Sequence, residues 1–244
     1  MSSFKRLVEQ AEKLTAKLQE YSGLEKHLVE NVIHYAKQLP GDGRGEIDQL
    51  IFIAQMAHQF EIYSPNLLQS MFESWKRPRA TTMTIEEYSK LICMFLSTKP
   101  GIKTDFVFNV YDVDRDGCIN RTELFSLLRS TMVITETEFT EADTNECIKE
   151  LIDLTLKMMD HDLSGDINRS EFKESANKDS VYLQIFGQCL PSDQTLDRFR
   201  KLLLGMTPLE LKAYFAEEKK KSLFNTMATL TQDNELYPIQ LDIP

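Results

Sequence analysis

Two twelve-residue stretches gather the oxygen-bearing side chains of this chain: DVDRDGCINRTE, Asp112 to Glu123, and DHDLSGDINRSE, Asp160 to Glu171. In the first, Asp112, Asp114 and Asp116 hold positions 1, 3 and 5, Gly117 follows, and Glu123 closes at position 12. In the second, Asp160, Asp162 and Ser164 hold the alternate positions, Gly165 follows, and Glu171 closes. Carboxylates packed this densely repel one another unless a cation sits among them. Calcium takes six to eight hard oxygen ligands at about 2.3–2.6 Å, and a loop of this pattern supplies them from positions 1, 3, 5, 7, 9 and 12. Position 7, Cys118 or Asp166, would offer its main-chain carbonyl, so the Cys118 thiol is not a ligand. Asn120 and Asn168, at position 9, would act directly or through a water. The candidate metal ligands are therefore Asp112, Asp114, Asp116, Cys118, Asn120 and Glu123 at one Ca2+ site, and Asp160, Asp162, Ser164, Asp166, Asn168 and Glu171 at another, with Mg2+ possible at rest. Ser164 brings oxygen without charge, which predicts a somewhat weaker second site. His161, at position 2, points outward as a solvated side chain.

Loops like these need apolar helices on both sides, and the sequence supplies them. Thr104, Phe106, Val107 and Val110 precede the first loop, and a helix from Thr122 to about Met132 follows it. Cys147 to Met159 is strongly helical before the second loop, and a helix from about Arg169 follows. This is the helix–loop–helix of the EF-hand, twice. Position 8 is Ile119 in one loop and Ile167 in the other, so a short antiparallel contact between them should couple the two sites. The acidic connector TETEFTEADTNE makes the spacing between the loops unusually long.

The same register can be laid on the upstream half. Helices are expected over Leu24–Leu39, Gln49–Phe60, from Ser64 or Pro65, and over Ile85–Leu96. Between the last two lies WKRPRATTMTIEEY, a basic stretch in an acidic chain. With Glu87 at position 12, position 1 is Lys76, position 3 Pro78, position 5 Ala80, and position 6 Thr81. A lysine stands where a carboxylate should and the turn glycine is gone, so this loop should be metal-free. The first loop would run from Pro40 to Ile51, with Asp42 at position 3 and Gly45 at position 6. It lacks the closing glutamate and should not hold calcium well; no Gly-Lys-Ser/Thr follows its glycines, so it is no phosphate loop.

The 244 residues carry a formal charge of −10 with 42% hydrophobic residues, which permits a real core and argues against nucleic acid as a partner. No apolar run of membrane-spanning length occurs, no apolar signal core opens the chain, and Ser2 excludes the myristoylation pattern. Cys93, Cys118, Cys147 and Cys189 have no zinc-like spacing and read as free thiols of an intracellular protein. Trp75 is expected to be packed. Of the methionines on the helices, Met94, Met132, Met158 and Met159, core filling is the default, with a calcium-exposed target surface as the alternative.

The expected fold is all-α: two lobes of paired EF-hands with extra terminal helices. The boundaries fall at 1–20 for an amphipathic N-terminal helix, 21–98 for a degenerate lobe, 99–190 for a calcium-binding lobe, and 191–244 for a helical tail. The N-terminal helix either packs on its own domain or presents a partner-binding face. In the tail, Thr207-Pro208-Leu209-Glu210 has the form of a helix start. Its Lys219-Lys220-Lys221 suits a solvated face or an acidic partner, and LYPIQLDIP should lie extended.

From about Gly101 to Leu190 the chain resembles the calaxin family of axonemal EF-hand proteins. The resemblance rests on the paired loops, their long spacing, IKELIDLTLKMMDHDLSGDI, and FGQCLPSD after the fourth hand. In that family the second hand can be a complete calcium loop, whereas here it is Lys76 to Glu87. The resemblance implies a calcium sensor in the cytoplasm and cytoskeleton of the cilium or flagellum, on outer-arm dynein, its docking complex or tubulin. Alternatives are a regulatory subunit of an enzyme such as a phosphatase, or a calcium buffer or structural site. No catalytic set appears at useful spacing, so no enzyme is expected.

Overall fold

The computed structural model describes residues 3–39, 45–99, 101–131, 141–179, 182–205 and 210. The first residues of the upstream loop (40–44), Met132 with the first half of the acidic connector, the Thr207 helix start, the lysine triplet and LYPIQLDIP lie outside the described residues. The helices are α1 Ser3–Ser22, α2 Lys26–Gln38, α3 Gln49–Phe60, α4 Pro65–Trp75, α5 Ile85–Leu96, α6 Ile102–Tyr111, α7 Arg121–Thr131, α8 Glu141–Met159, α9 Arg169–Lys178, α10 Tyr182–Ile185 and α11 Asp193–Gly205. Four two-residue strands complete the described elements: β1 Glu46–Ile47, β2 Met83–Thr84, β3 Cys118–Ile119 and β4 Ile167–Asn168. The architecture is the all-α one expected.

Helix starts follow local chemistry. Ser64 caps α4 with Pro65 in the first turn, and the Ser64 hydroxyl accepts from the Leu67 amide. Thr84 and Glu87 form a reciprocal capping box at the start of α5. α3 ends at Glu61, whose φ of 56° turns the chain out of the helix.

The strands join the hands in pairs. β1 runs antiparallel to β2 with Ile47 opposite Met83, and β3 antiparallel to β4 with Ile119 opposite Ile167. Both contacts fall at position 8 of their loops, as the register demanded. Each pair then encloses apolar helix faces. The buried side chains of the two pairs nevertheless form one continuous cluster. Phe95 of α5 and Trp75 of α4 both stack edge-on against Phe106 of α6, with ring centroids 5.7 and 5.5 Å away. The Trp75 indole N–H also donates to the Glu87 carbonyl at 2.7 Å, so this tryptophan is packed and satisfied. Met94 and Met159 are fully buried core residues.

α1 packs along α2 and α5 with Leu18 buried. The Lys99 ammonium closes its end by donating to the Glu20 and Tyr21 carbonyls.

Two elements depart from the sequence reading. α8 begins at Glu141, six residues before the expected Cys147, because the end of the connector is itself a helix start: Glu141 and Asp143 favour the positive N-terminal end, and Arg129 pairs with Glu141. α11 is the second. The tail reading began its helix at Thr207, yet Ser192 caps a helix from Asp193 by accepting from the Thr195 amide. The spacing of Leu196, Phe199, Leu202 and Leu203 was the available signal.

Candidate metal centre

The third loop leaves α6 at Asp112 and enters α7 through Asn120. Backbone conformation comes first. Gly117 has φ of 92° and Gly165 of 97°, a region that side chains avoid, at position 6 of each loop. Position 4 is also left-handed, in Arg115 (63°) and in Leu163 (62°). The second loop shares this bend at its own position 4, Arg79 (63°), but Thr81 at position 6 does not take a positive φ. The register assigned to the second loop is thus visible in its backbone.

Carboxylates are then turned inward by the loop's own amides. The Asp112 Oδ1 accepts from the Gly117 N–H at 3.4 Å, and Asp160 accepts from the Ser164 and Gly165 N–H groups at 3.0 and 2.8 Å. Glu123 reaches back across its loop, Oε1 accepting from Val113 N (2.8 Å) and Asp114 N (3.3 Å) and Oε2 from Asn120 N (3.0 Å). Glu171 repeats this with His161 N (2.8 Å), Asp162 N (3.1 Å) and Asn168 N (2.9 Å).

Side-chain oxygens of Asp112, Asp114 and Asp116 lie within 4.8 Å of one another, and those of Asp160, Asp162 and Glu171 do the same. The two sets differ: the closing glutamate belongs to the close group in the fourth loop, while in the third loop the close group is the three aspartates. Ser164 donates to the Asp166 carbonyl at 3.2 Å, bringing positions 5 and 7 together. Asn120 and Asn168 spend their Oδ1 atoms on helix caps, accepting from the Glu123 and Glu171 amides at 3.1 Å. Cys118 sits on β3, opposite Asn168. His161 places Nδ1 3.6 Å from the Glu174 carboxylate, outside the loop.

Electrostatics point the same way. Burial pushes the Asp112 carboxyl above its ordinary range, against the opposing hydrogen bond from Gly117. Burial also raises Glu123, although the Asn120, Asp114 and Val113 amides oppose it. Close groups of acids, buried at the first and last positions of each loop, fit a calcium ion, which would relieve both burial and mutual repulsion.

The upstream loops are built differently. In the second, Arg77 holds the closing Glu87 (Nε to Oε1, 3.4 Å) and also Glu46 of β1 (3.0 Å), and Thr82 donates to Glu46 as well. Lys76 pairs with Glu73 at 2.8 Å. In the first, Asp48 caps α3 by accepting from the Ile51 amide at 2.8 Å.

Comparison with known proteins agrees with this geometry. The family model for an EF-hand domain pair matches residues 105–176. Calaxin of Xenopus laevis is 26% identical over 199 residues, 81% of this chain and 94% of that protein. The chain is thus similar to calaxin over most of its length and carries an EF-hand pair at residues 105–176. Calaxin of Danio rerio is 29% identical over 119 residues, which cover 49% of this chain and 55% of that one. Guanylyl cyclase-activating protein 1 of Gallus gallus is 29% identical over 123 residues, 50% and 59% of the two chains. The calaxin-like pair and its acidic clusters indicate calcium binding, and calcium sensing is the function they support. Among the described residues no helix is long and apolar enough to cross a membrane.

Proposed function

We propose that the third and fourth loops each bind one calcium ion through the twelve residues named above, and that the chain is a non-enzymatic sensor or adaptor. One observation carries this reading: both loops of a single pair turn their acids inward on glycine bends, while in the other pair the second loop has lost its ligands and the first its closing glutamate. The first pair then acts as a calcium-independent platform. The likeness to calaxin supports a place on the ciliary or flagellar axoneme, with a dynein docking component or tubulin as partner. The likeness to a cyclase-activating protein favours, as second reading, a regulatory subunit of an enzyme.

Calorimetric titration of the wild type beside Glu123→Gln and Glu171→Gln tests the core of this. Two sites are expected in the wild type and one fewer in each variant. No heat and no spectral change in the wild type would sink the sensor. Affinity capture in calcium and in chelator then separates the partners: axonemal dynein components or tubulin in one case, a catalytic subunit in the other.

A further inference from the structure

Residues 182–205 run from the second pair back to the first and bury side chains in both. Phe186 is fully buried between two rings, 4.9 Å from Tyr111 and 5.0 Å from Phe172. Those two neighbours are the residues next to the loop ends: Tyr111 precedes Asp112 and Phe172 follows Glu171. The Tyr111 hydroxyl donates to the Phe186 carbonyl at 2.9 Å, and Cys189 is buried beside this segment. Gly187, with φ of 64°, lies against the last residue of α7 so closely that a Cβ there would stand 2.9 Å from the Thr131 hydroxyl. The far end of α11 is tied to the first pair. Phe199 stacks with Tyr35 and Phe60, Asn31 donates to the Leu203 carbonyl at 2.9 Å, and Arg200 donates to the Leu96 carbonyl at 3.1 Å.

We propose that this run is a strap whose Phe186–Cys189 segment plugs the groove of the calcium-binding pair, and that loop closure drives the plug out, leaving the groove to an amphipathic partner helix that bears one bulky aromatic side chain. The partner's chemistry is that of the resident it displaces: an aromatic ring between Tyr111 and Phe172, beside a small residue at Thr131. The route is short. Glu123, held by the Val113, Asp114 and Asn120 amides, sits in the first turn of α7. Ligation that takes Glu123 from those amides onto an ion moves α7, whose last residue, Thr131, lies beside Gly187. Anchorage of α11 on the first pair keeps the expelled segment near, so it recloses when the loops empty. Expulsion and ligation are thermodynamically linked, so the plug must weaken calcium binding by the same factor that calcium weakens the plug. This inference rests on the calcium-sensor reading.

Two buried thiols in the full-length chain provide the test. Cys189 is in the plug and Cys93 is in α5 of the first pair. Burial pushes the Cys93 thiol up to about 12 and raises Cys189 as well, so both are unreactive while enclosed. Maleimide labelling in chelator and in calcium is read residue by residue by peptide mass spectrometry, with calcium uptake measured on the same sample. Cys189 is expected to react about tenfold faster or more in calcium, with Cys93 unchanged. Calcium bound with Cys189 still protected would overturn the strap alone; no calcium bound would overturn the sensor reading with it. Independently, Phe186→Ala is expected to raise calcium affinity about threefold or more, since closure no longer works against the plug. Equal or weaker affinity in that variant, with its helix content intact, would contradict the proposal.

Discussion

Arg77 does in the second loop what a calcium ion would do in the third and fourth. A closing glutamate left alone in a half-buried loop would be an uncompensated charge, and Glu87 avoids this by meeting a guanidinium supplied by position 2 of its own loop. The same guanidinium reaches Glu46 on the neighbouring strand, so one cation stitches both upstream loops. Because Arg77 is half exposed, the contribution is screened. Arg77→Ala should cost about 0.5–1 kcal/mol, and less at high salt. Thermal melts at two ionic strengths check this; a loss independent of salt would contradict the electrostatic account. Calcium stoichiometry should not change, since Pro78 and Ala80 still offer no side-chain oxygen.

At the scale of elements, α11 is the piece that completes the first pair. Phe199 carries it, buried against Tyr35 and Phe60. Truncation to Ala should cost about 3–5 kcal/mol in denaturant unfolding, as for other buried aromatics, whereas Leu204→Ala on the exposed side should change stability by no more than about 0.5 kcal/mol. Equal effects would mean that α11 does not dock as described. The contrast also shows what the sequence made legible. Loop chemistry has a fixed register, so Gly117, Gly165, the inward carboxylates and the Ile119–Ile167 contact could be placed from spacing alone. Even the second loop was readable, because Glu87 and its flanking helices preserve the count. α11 was not, since its partners lie far away along the chain and its short apolar stripe carries no motif. Arg77 as the counter-charge was also hidden, because which neighbour meets a glutamate depends on side-chain direction.

For the whole molecule, the seam between the pairs is aromatic, and the chain's single tryptophan stands in it. Trp75 stacks on Phe106 in the middle of the helix that leads to Asp112, while its indole is fixed to the Glu87 carbonyl. Calcium added to the wild type should therefore shift or quench tryptophan emission, and the double variant Glu123→Gln with Glu171→Gln should show no such response. Emission that ignores calcium in a wild type shown by calorimetry to bind it would mean that α6 keeps its seat on the first pair.

The bond from Asn31 to the Leu203 carbonyl spans 172 positions of sequence. During synthesis the first pair leaves the ribosome long before the helix that finishes its core. From Leu96, where the first pair ends, to Leu203 is 107 residues, which at about 5–20 residues per second takes roughly five to twenty-one seconds. For that interval Tyr35 and Phe60 line an open groove on a nascent chain, available to chaperones and to foreign helices. Slow or paused translation of the last third of the message should therefore raise aggregation or mispairing, although the finished molecule shows no such weakness.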